Sequence, residues 1–86
     1  HLLYHNSLIA DDIHWVDLTP KPSFSCSAKI RYRQASQNCN VSLNDDQTIK
    51  VDFIESQRAI TPGQSVVFYD GDICLGGSVI KSKSNE

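Results

Sequence analysis

Residues 59–80, AITPGQSVVFYDGDICLGGSVI, carry the strongest indications of the fold. It contains a turn, a short apolar run, a second turn and a second apolar run interrupted by two glycines. The TPGQ segment has turn chemistry, because proline fixes φ and glycine accepts a positive φ. The Asp70-Gly71 pair is a strong signal for a two-residue hairpin connection. We therefore predict that residues 66–69 and 73–75 form the two strands of an antiparallel hairpin.

The Gly76-Gly77 pair could be read as a phosphate-binding loop or as a corner of a sheet. A phosphate-binding glycine loop follows a strand and opens a helix, whose amino end then meets the anion. The next residues, Ser78-Val79-Ile80, keep strand character instead. Glycines inside a strand mark a bulge, a sharp bend or a close backbone approach, and barrels need such corners. We therefore assign the two glycines to the construction of a barrel.

Period-two alternation dominates the rest of the chain, and no segment sustains a helical pattern. Residues 39–53, CNVSLNDDQTIKVDF, read as a second hairpin whose turn lies at residues 44–47, since Asn and Asp favour turn geometry. In AKIRYRQ, residues 28–34, we expect a strand that exposes its charged residues on one face. That face carries Lys29, Arg31 and Arg33, and the opposite face carries Ala28, Ile30 and Tyr32.

The amino-terminal part predicts two shorter strands around residues 10–12, followed by a proline-containing connecting loop at residues 19–27. The sequence as a whole therefore predicts an all-β domain, a small antiparallel barrel of about six strands, closed or nearly closed. Its 86 residues suffice for one domain. We expect the barrel to span residues 1–80 and residues 81–86 to form a polar, frayed tail. The chain begins without Met, which suggests a piece of a longer protein.

The three cysteines, Cys26, Cys39 and Cys74, are odd in number and too widely spaced for a CxxC pair. This spacing favours free thiols in a reducing compartment, the cytoplasm, over a disulfide framework or a zinc site. Cys39 and Cys74 lie in alternating apolar patterns, which predict buried and inert thiols. A nucleophile elbow of the GxSxG type is absent, and no apolar run has the ~18 residues of a membrane span. We expect no catalytic residue, metal site or membrane partner in this chain.

Charge is distributed unevenly along the chain despite a net charge of −2. Between Leu18 and Asn44 there is no acidic residue, whereas Lys21, Lys29, Arg31 and Arg33 all fall there. These cations form either a basic binding face or an ordinary solvated strand face. The RYRQ segment combines charge, an aromatic ring and an amide, the mixture used in single-stranded RNA recognition. Trp15 could stack on a base, although a lone aromatic near a strand end more often fills a core.

KIRYRQ, a cysteine after a short loop, and AITPGQSVVFYDGDICLGGSVI together resemble the carboxy-terminal domain of tRNA-specific 2-thiouridylases (tRNA-uridine 2-sulfurtransferases). The resemblance extends from SLIADDIHWV to GGSVI, nearly the whole chain. It implies a six-stranded β-barrel, similar to the second domain of translation elongation factors, that helps to hold tRNA. Arg31, Tyr32 and Gln64 match the positions that contact tRNA in that family. Since alternation places Tyr32 opposite Arg31, joint contact with RNA requires a strand end or rim, which would also bring Gln64 within reach.

The resemblance also implies that the chemistry resides elsewhere in the parent enzyme. That enzyme adenylates C2 of the wobble uridine with ATP, and a persulfide cysteine then delivers sulfur. The ATP-binding loop and the catalytic cysteines belong to an amino-terminal domain, and LGGSVI does not match that loop. Expected partners are therefore tRNA, the enzyme's own amino-terminal catalytic domain and, as a further candidate, a sulfur-carrier protein. The alternative is a protein–protein module that docks the sulfur carrier or packs only on the catalytic domain.

Overall fold

The computed structural model describes residues 3–16 and 21–85, and these form a closed six-stranded antiparallel barrel. The order of strands around the barrel is β1-β4-β3-β2-β5-β6, and β6 pairs with β1 to close it. No helix occurs among the described residues, so no helix there could cross a membrane. The predicted all-β barrel of six strands is confirmed. The strands are β1 (Tyr4–Trp15), β2 (Ser23–Lys29), β3 (Gln37–Leu43), β4 (Ile49–Arg58), β5 (Ser65–Asp70) and β6 (Ile73–Ser84).

Alternating side chains from all six strands fill the interior of the barrel, as the period-two pattern requires. Trp15 packs against this core: its ring centroid lies 5.9 Å from that of Phe24 and 5.8 Å from that of Phe68. The ring therefore covers part of the core, which favours the core role over the stacking role for Trp15. The buried apolar residues are Leu8, Ala10, Ala28, Ile30, Cys39, Val41, Ile49, Val51, Phe53, Ile60, Val66, Phe68 and Ile80.

Both predicted hairpins are present, and local side-chain chemistry shapes their turns. In the β3–β4 turn, Asn44 N–H donates to the Thr48 carbonyl at 2.9 Å, and Gln47 adopts a φ of 68°. Asp46 accepts hydrogen bonds from the hydroxyl and the backbone N–H of Thr48, which lower the pKa of the Asp46 carboxyl. In the β5–β6 hairpin, Asp70 pairs with Ile73 across a two-residue turn.

Gly76 is required where β6 bends between β5 and β1. Phe68 pairs with Gly76 but Tyr69 pairs with Cys74, so Leu75 is an extra, bulged residue. On the other side, Trp15 pairs with Gly76. A Cβ at Gly76 would lie 2.4 Å from the His14 carbonyl oxygen, and φ there is +155°. The prediction that the glycine pair builds a corner of the barrel is thus confirmed for Gly76, and β6 continues beyond it.

Three predicted boundaries are wrong. The two short strands expected around residues 10–12 form one strand, β1, because an irregularity at Asp12 (φ 50°) interrupts the pairing without ending the strand. The loop expected at residues 19–27 gives way to β2 at Ser23, although residues 19 and 20 lie outside the described part. Residues 81–84 belong to β6 rather than to a frayed tail, since the amino-terminal half of β1 offers them a pairing partner.

Candidate RNA-binding cleft

The RYRQ segment, residues 31–34, forms a turn between β2 and β3. The strand expected over residues 28–34 ends at Lys29, so that prediction is wrong beyond this point. The cause is local: the Gln34 side chain accepts a hydrogen bond from Ile30 N–H at 3.1 Å, and Gln34 N–H donates to the Arg31 carbonyl at 3.2 Å. These bonds replace strand pairing with a turn. Alternation therefore stops at buried Ile30, and the Tyr32 side chain is 93% exposed.

Arg31 ties this turn to the end of β4. Its guanidinium Nη2 donates to the carbonyl oxygens of Arg58 and Ala59, the latter at 3.0 Å. Ala59 follows the last residue of β4 and has a φ of 54°, so its carbonyl leaves the ladder of the sheet. A charged donor satisfies both carbonyls at once. This anchoring role was missed in the sequence because nothing in the pattern indicates which distant strand end needs a donor.

A second bond fixes the other side of the turn. Gln34 Nε2 donates to Oε1 of buried Gln57 at 2.8 Å, and Gln57 Nε2 donates to the Glu55 carbonyl at 2.9 Å. Arg31 and Gln34 thus attach the turn to β4 from two positions. Tyr32 lies between them at the exposed tip, so its backbone is held in place while its ring faces solvent.

The TPGQ turn faces the RYRQ turn across a cleft of about 700 Å³. This turn is fixed to β6, because Gly63 N–H donates to the Ile80 carbonyl and Ile80 N–H donates to the Gln64 carbonyl, both at 2.8 Å. Gly63 has a φ of +94°, as expected for glycine in this turn. The residues that line the cleft are Lys29, Ile30, Arg31, Tyr32, Gly63, Gln64, Ser65, Val67 and Tyr69.

The three residues predicted as tRNA contacts, Arg31, Tyr32 and Gln64, all line this one cleft. The expectation that a rim position would bring Gln64 close to the other two is therefore met geometrically. Of the described residues that line the cleft, none is acidic, and two, Lys29 and Arg31, carry positive charge. The cleft thus combines positive charge, an exposed aromatic ring and a side-chain amide.

The floor of the cleft carries a pair that the sequence analysis did not identify. Lys29 Nζ lies 5.3 Å from the centroid of the Tyr69 ring, within cation–π range. The two residues meet because β2 pairs with β5, with Lys29 opposite Val67 and Ser27 opposite Tyr69. This strand pairing is non-sequential, so period-two alternation gave no signal for it. The pair holds the Lys29 ammonium at the cleft.

Residues 19–43 contain no acidic residue and four cations, and the other two of these cations do not line the cleft. Lys21 precedes β2 and is exposed, and Arg33 is exposed on the turn itself. Of the four cations in this segment, two therefore line the cleft and two are exposed to solvent. Lys21 provides a control position of like charge away from the cleft.

The cysteines differ in environment. Cys39 is buried as predicted, whereas Cys74 is exposed, so that prediction is wrong for Cys74. The bulge at Leu75 reverses the alternation of β6 there, and Leu75 instead packs against the core. All three are free thiols. Within residues 3–16 and 21–85, no group of three or more His, Cys, Asp or Glu side chains could hold a metal ion.

Residues 5–80 match the family profile described as the aminomethyltransferase beta-barrel domain. Among curated proteins, the chain is 58% identical over 80 residues to tRNA-specific 2-thiouridylase MnmA of Ruthia magnifica subsp. Calyptogena magnifica, covering 93% of the chain. It is 56% identical to the protein of that name from Francisella philomiragia, over 92% of the chain, and 51% identical to that from Aeromonas hydrophila, over 94%.

In each case the match spans only 22% of the relative, in its carboxy-terminal part. The resemblance that the KIRYRQ and TPGQ segments suggested is therefore confirmed over almost the whole chain. With its closed barrel and this profile match, the chain belongs to the aminomethyltransferase β-barrel domain family, and it is similar to the carboxy-terminal part of tRNA-specific 2-thiouridylases.

Proposed function

We propose that this barrel binds tRNA for the enzyme to which it belongs, and that the cleft between the RYRQ and TPGQ turns is the contact surface. The observation that carries the proposal is the exposed Tyr32 ring beside Lys29 and Arg31 in one acid-free cleft. Single-stranded RNA is bound by stacking on aromatic rings and by cations that follow the phosphates.

Each cleft residue has a distinct role in this proposal. Tyr32 stacks on an unpaired base, since its ring is solvent-exposed and its backbone is fixed. Lys29 neutralises a phosphate. Gln64 donates or accepts a hydrogen bond through its amide. Arg31 positions the turn through Nη2, and the guanidinium donors on Nε and Nη1 remain for the RNA.

The whole enzyme, by the name its relatives carry, thiolates C2 of a tRNA uridine. In our proposal ATP and the persulfide sulfur are used in a part of the enzyme outside this chain, in the cytoplasm. The barrel contributes binding energy and orientation rather than a reacting group. Its partners are then tRNA and the amino-terminal catalytic domain.

The alternative is a docking module for a sulfur carrier or for the catalytic domain. Exposed apolar side chains favour it: Ile54 on β4 is 68% exposed and Ile73 on β6 is 67% exposed. Burial of such residues against a protein partner would be favourable. In this case their replacement by aspartate would lower thiolation while the affinity for tRNA stayed unchanged.

A filter-binding titration of tRNA with the full-length enzyme at several salt concentrations tests the proposal. Tyr32→Ala should weaken binding by roughly 1–3 kcal/mol, whereas Tyr32→Phe keeps the ring and should bind almost normally. Lys29→Gln should reduce the salt slope by about one, because one fewer counterion is released. Lys21→Gln, with the same charge change outside the cleft, is the control. Wild-type affinity in both Tyr32→Ala and Lys29→Gln would overturn the proposal and favour docking.

A further inference from the structure

Two of the three thiols lie directly opposite each other. Cys26 on β2 pairs with Cys39 on β3, and their Sγ atoms are 3.8 Å apart. Directly opposed residues of an antiparallel pair have Cα atoms about 4.5–5.5 Å apart, within the ~4.4–6.8 Å range that a disulfide bridges. Closing the sulfur–sulfur distance to a bond therefore requires rotation of side chains and no displacement of the strands.

Cys26 is the more exposed of the two thiols. Cys26 is half-buried and Cys39 is buried, yet both line a depression of about 360 Å³ beside the β5–β6 turn. The lining is mixed, with polar residues such as Asn38, Asn40 and Asp70 beside apolar Ile54. Since Cys26 is less buried than Cys39, a small disulfide meets the Cys26 sulfur first.

Electrostatics distinguishes the two thiols. The hydrogen bond with the Cys39 thiol lowers the pKa of Cys26, and this outweighs the opposing effects of burial and of Asp70. The same hydrogen bond, burial and the Asp52 carboxylate raise the pKa of Cys39. The thiolate form, which is the nucleophile, therefore develops first on the more accessible sulfur.

We propose that Cys26 and Cys39 form a reversible dithiol–disulfide site whose co-reactant is a low-molecular-weight disulfide of the glutathione class. The Cys26 thiolate attacks one sulfur of the small disulfide, forms a mixed disulfide and releases the first small thiolate. Cys39 then loses its proton to solvent and attacks the Cys26 sulfur, which releases the second small thiolate. Two protein thiols are oxidised and one small disulfide is reduced to two thiols. Excess small thiol reverses both steps.

The crosslink would close a ring that contains residues 27–38, and with them the whole RYRQ turn. The site is thus a redox-sensitive staple across the hairpin that carries Tyr32. Its formation depends only on the sulfur geometry and on access, so it stands or falls independently of tRNA binding. Exposed Cys74 has no second thiol beside it and serves as an internal control for simple mixed-disulfide formation.

The test equilibrates the full-length protein in glutathione buffers of rising oxidised fraction, blocks the remaining thiols, and maps tryptic peptides by mass spectrometry. Trypsin cuts after Lys29, Arg31 and Arg33, so Cys26 and Cys39 fall on separate peptides unless they are bonded. The expected product is the linked pair of peptides, lighter by two hydrogens, which excess reduced glutathione separates again. Cys74 should carry only a glutathione adduct.

Two variants assign the order of the steps. Cys39→Ser removes the second thiol, so a glutathione adduct should accumulate on Cys26. In the wild type this adduct should remain a minor species. Cys26→Ser should leave Cys39 unmodified under the same conditions. The proposal is overturned if Cys26 and Cys39 stay reduced in buffers that modify Cys74. It is also overturned if wild-type Cys26 keeps its adduct without forming the linked pair.

Discussion

Replacing Gly76 by alanine tests whether close contact between β6 and β1 closes the barrel. An added Cβ would lie 2.4 Å from the His14 carbonyl oxygen and 2.9 Å from a ring carbon of Trp15. The first neighbour is backbone and cannot rotate away, and the second belongs to a ring that packs against Phe24 and Phe68. The variant therefore has to separate β6 from β1 at this point and also displace the Trp15 ring.

The magnitude follows from two effects. A non-glycine residue at a φ of +155° costs about 1–3 kcal/mol, and forcing an extra methyl group into a packed site costs a further ~1–3 kcal/mol. Together they amount to about 2–6 kcal/mol, a large part of the roughly 4–13 kcal/mol expected for a domain of this length. With a urea m-value near 1 kcal/mol/M, the denaturation midpoint should fall by about 2 M or more.

Gly77→Ala is the matched control, one residue further along the same strand. Its Cβ would lie 3.4 Å from the Val66 carbonyl oxygen and 4.0 Å from Val67 Cγ2, and no positive φ is involved. We expect the free energy of unfolding to change by no more than about 1 kcal/mol. Alanine lowers the entropy of the unfolded chain relative to glycine, and this partly offsets any loss from closer packing. Urea denaturation followed by circular dichroism measures both variants. Equal midpoints for Gly76→Ala and Gly77→Ala would show that close contact at Gly76 does not limit the approach of β6 to β1.

Three further predictions concern the turns. Arg31→Ala should lower the unfolding free energy by about 1.5–2 kcal/mol, the lower part of the range for charged hydrogen bonds, because Arg31 is only half-buried; an unchanged urea midpoint would contradict its anchoring role. Gln64→Ala should weaken tRNA binding by about 1 kcal/mol in filter binding, less than Tyr32→Ala, and an equal or larger loss would show that the ring is not the main contact. The pKa of the Asp46 carboxyl is lower in the folded chain than in the unfolded chain. The ionised carboxylate therefore stabilises the fold fully above the pKa of the unfolded chain, and this stabilisation is lost as the pH falls through the pKa of the folded chain. Melting temperatures from neutral to acidic pH should therefore fall less steeply in Asp46→Asn, and identical pH profiles would argue against this role.

The hairpins could be predicted because their determinants are local. The turn at residues 44–47 needs only the side chains of Asn44 and Asp46, and Asp70-Gly71 needs only a glycine that accepts positive φ. Each determinant lies within a few residues of the turn it shapes. Such features can be read from a single sequence, and they sufficed to predict the barrel.

The wrong predictions share a different cause. Alternation in AKIRYRQ continues to residue 33, but the hydrogen bond from Ile30 N–H to the Gln34 side chain ends the strand. In β6, alternation would bury Cys74, but the bulge at Leu75 shifts the strand by one residue. The pattern of apolar residues predicts which face a side chain takes only while the register is unbroken. Bulges and side-chain caps break it without a strong compositional signal.

The candidate site likewise combines features that could be predicted from the sequence with features that depend on the fold. Arg31, Tyr32 and Gln64 were identified through family resemblance, and the reasoning about a rim position anticipated that they would lie together. The contact between Lys29 and Tyr69 could not be predicted, since it depends on which non-sequential strands become neighbours.

The attachment of the RYRQ turn to β4 affects what binding at the proposed cleft would cost. Loops on a domain of this size are ordinarily mobile, and ordering them on binding costs roughly 1–2 kcal/mol per residue for the backbone alone. Here Arg31 and Gln34 bond to residues 57–59 of the same chain, so this cost is met during folding. Tyr32 is then presented by a turn that is already formed, and stacking restricts only its side chain. If the cleft binds RNA, its affinity therefore depends on β4 contacts that never touch the RNA. Gln57, which is buried beneath the turn, is the residue through which such an indirect effect would act.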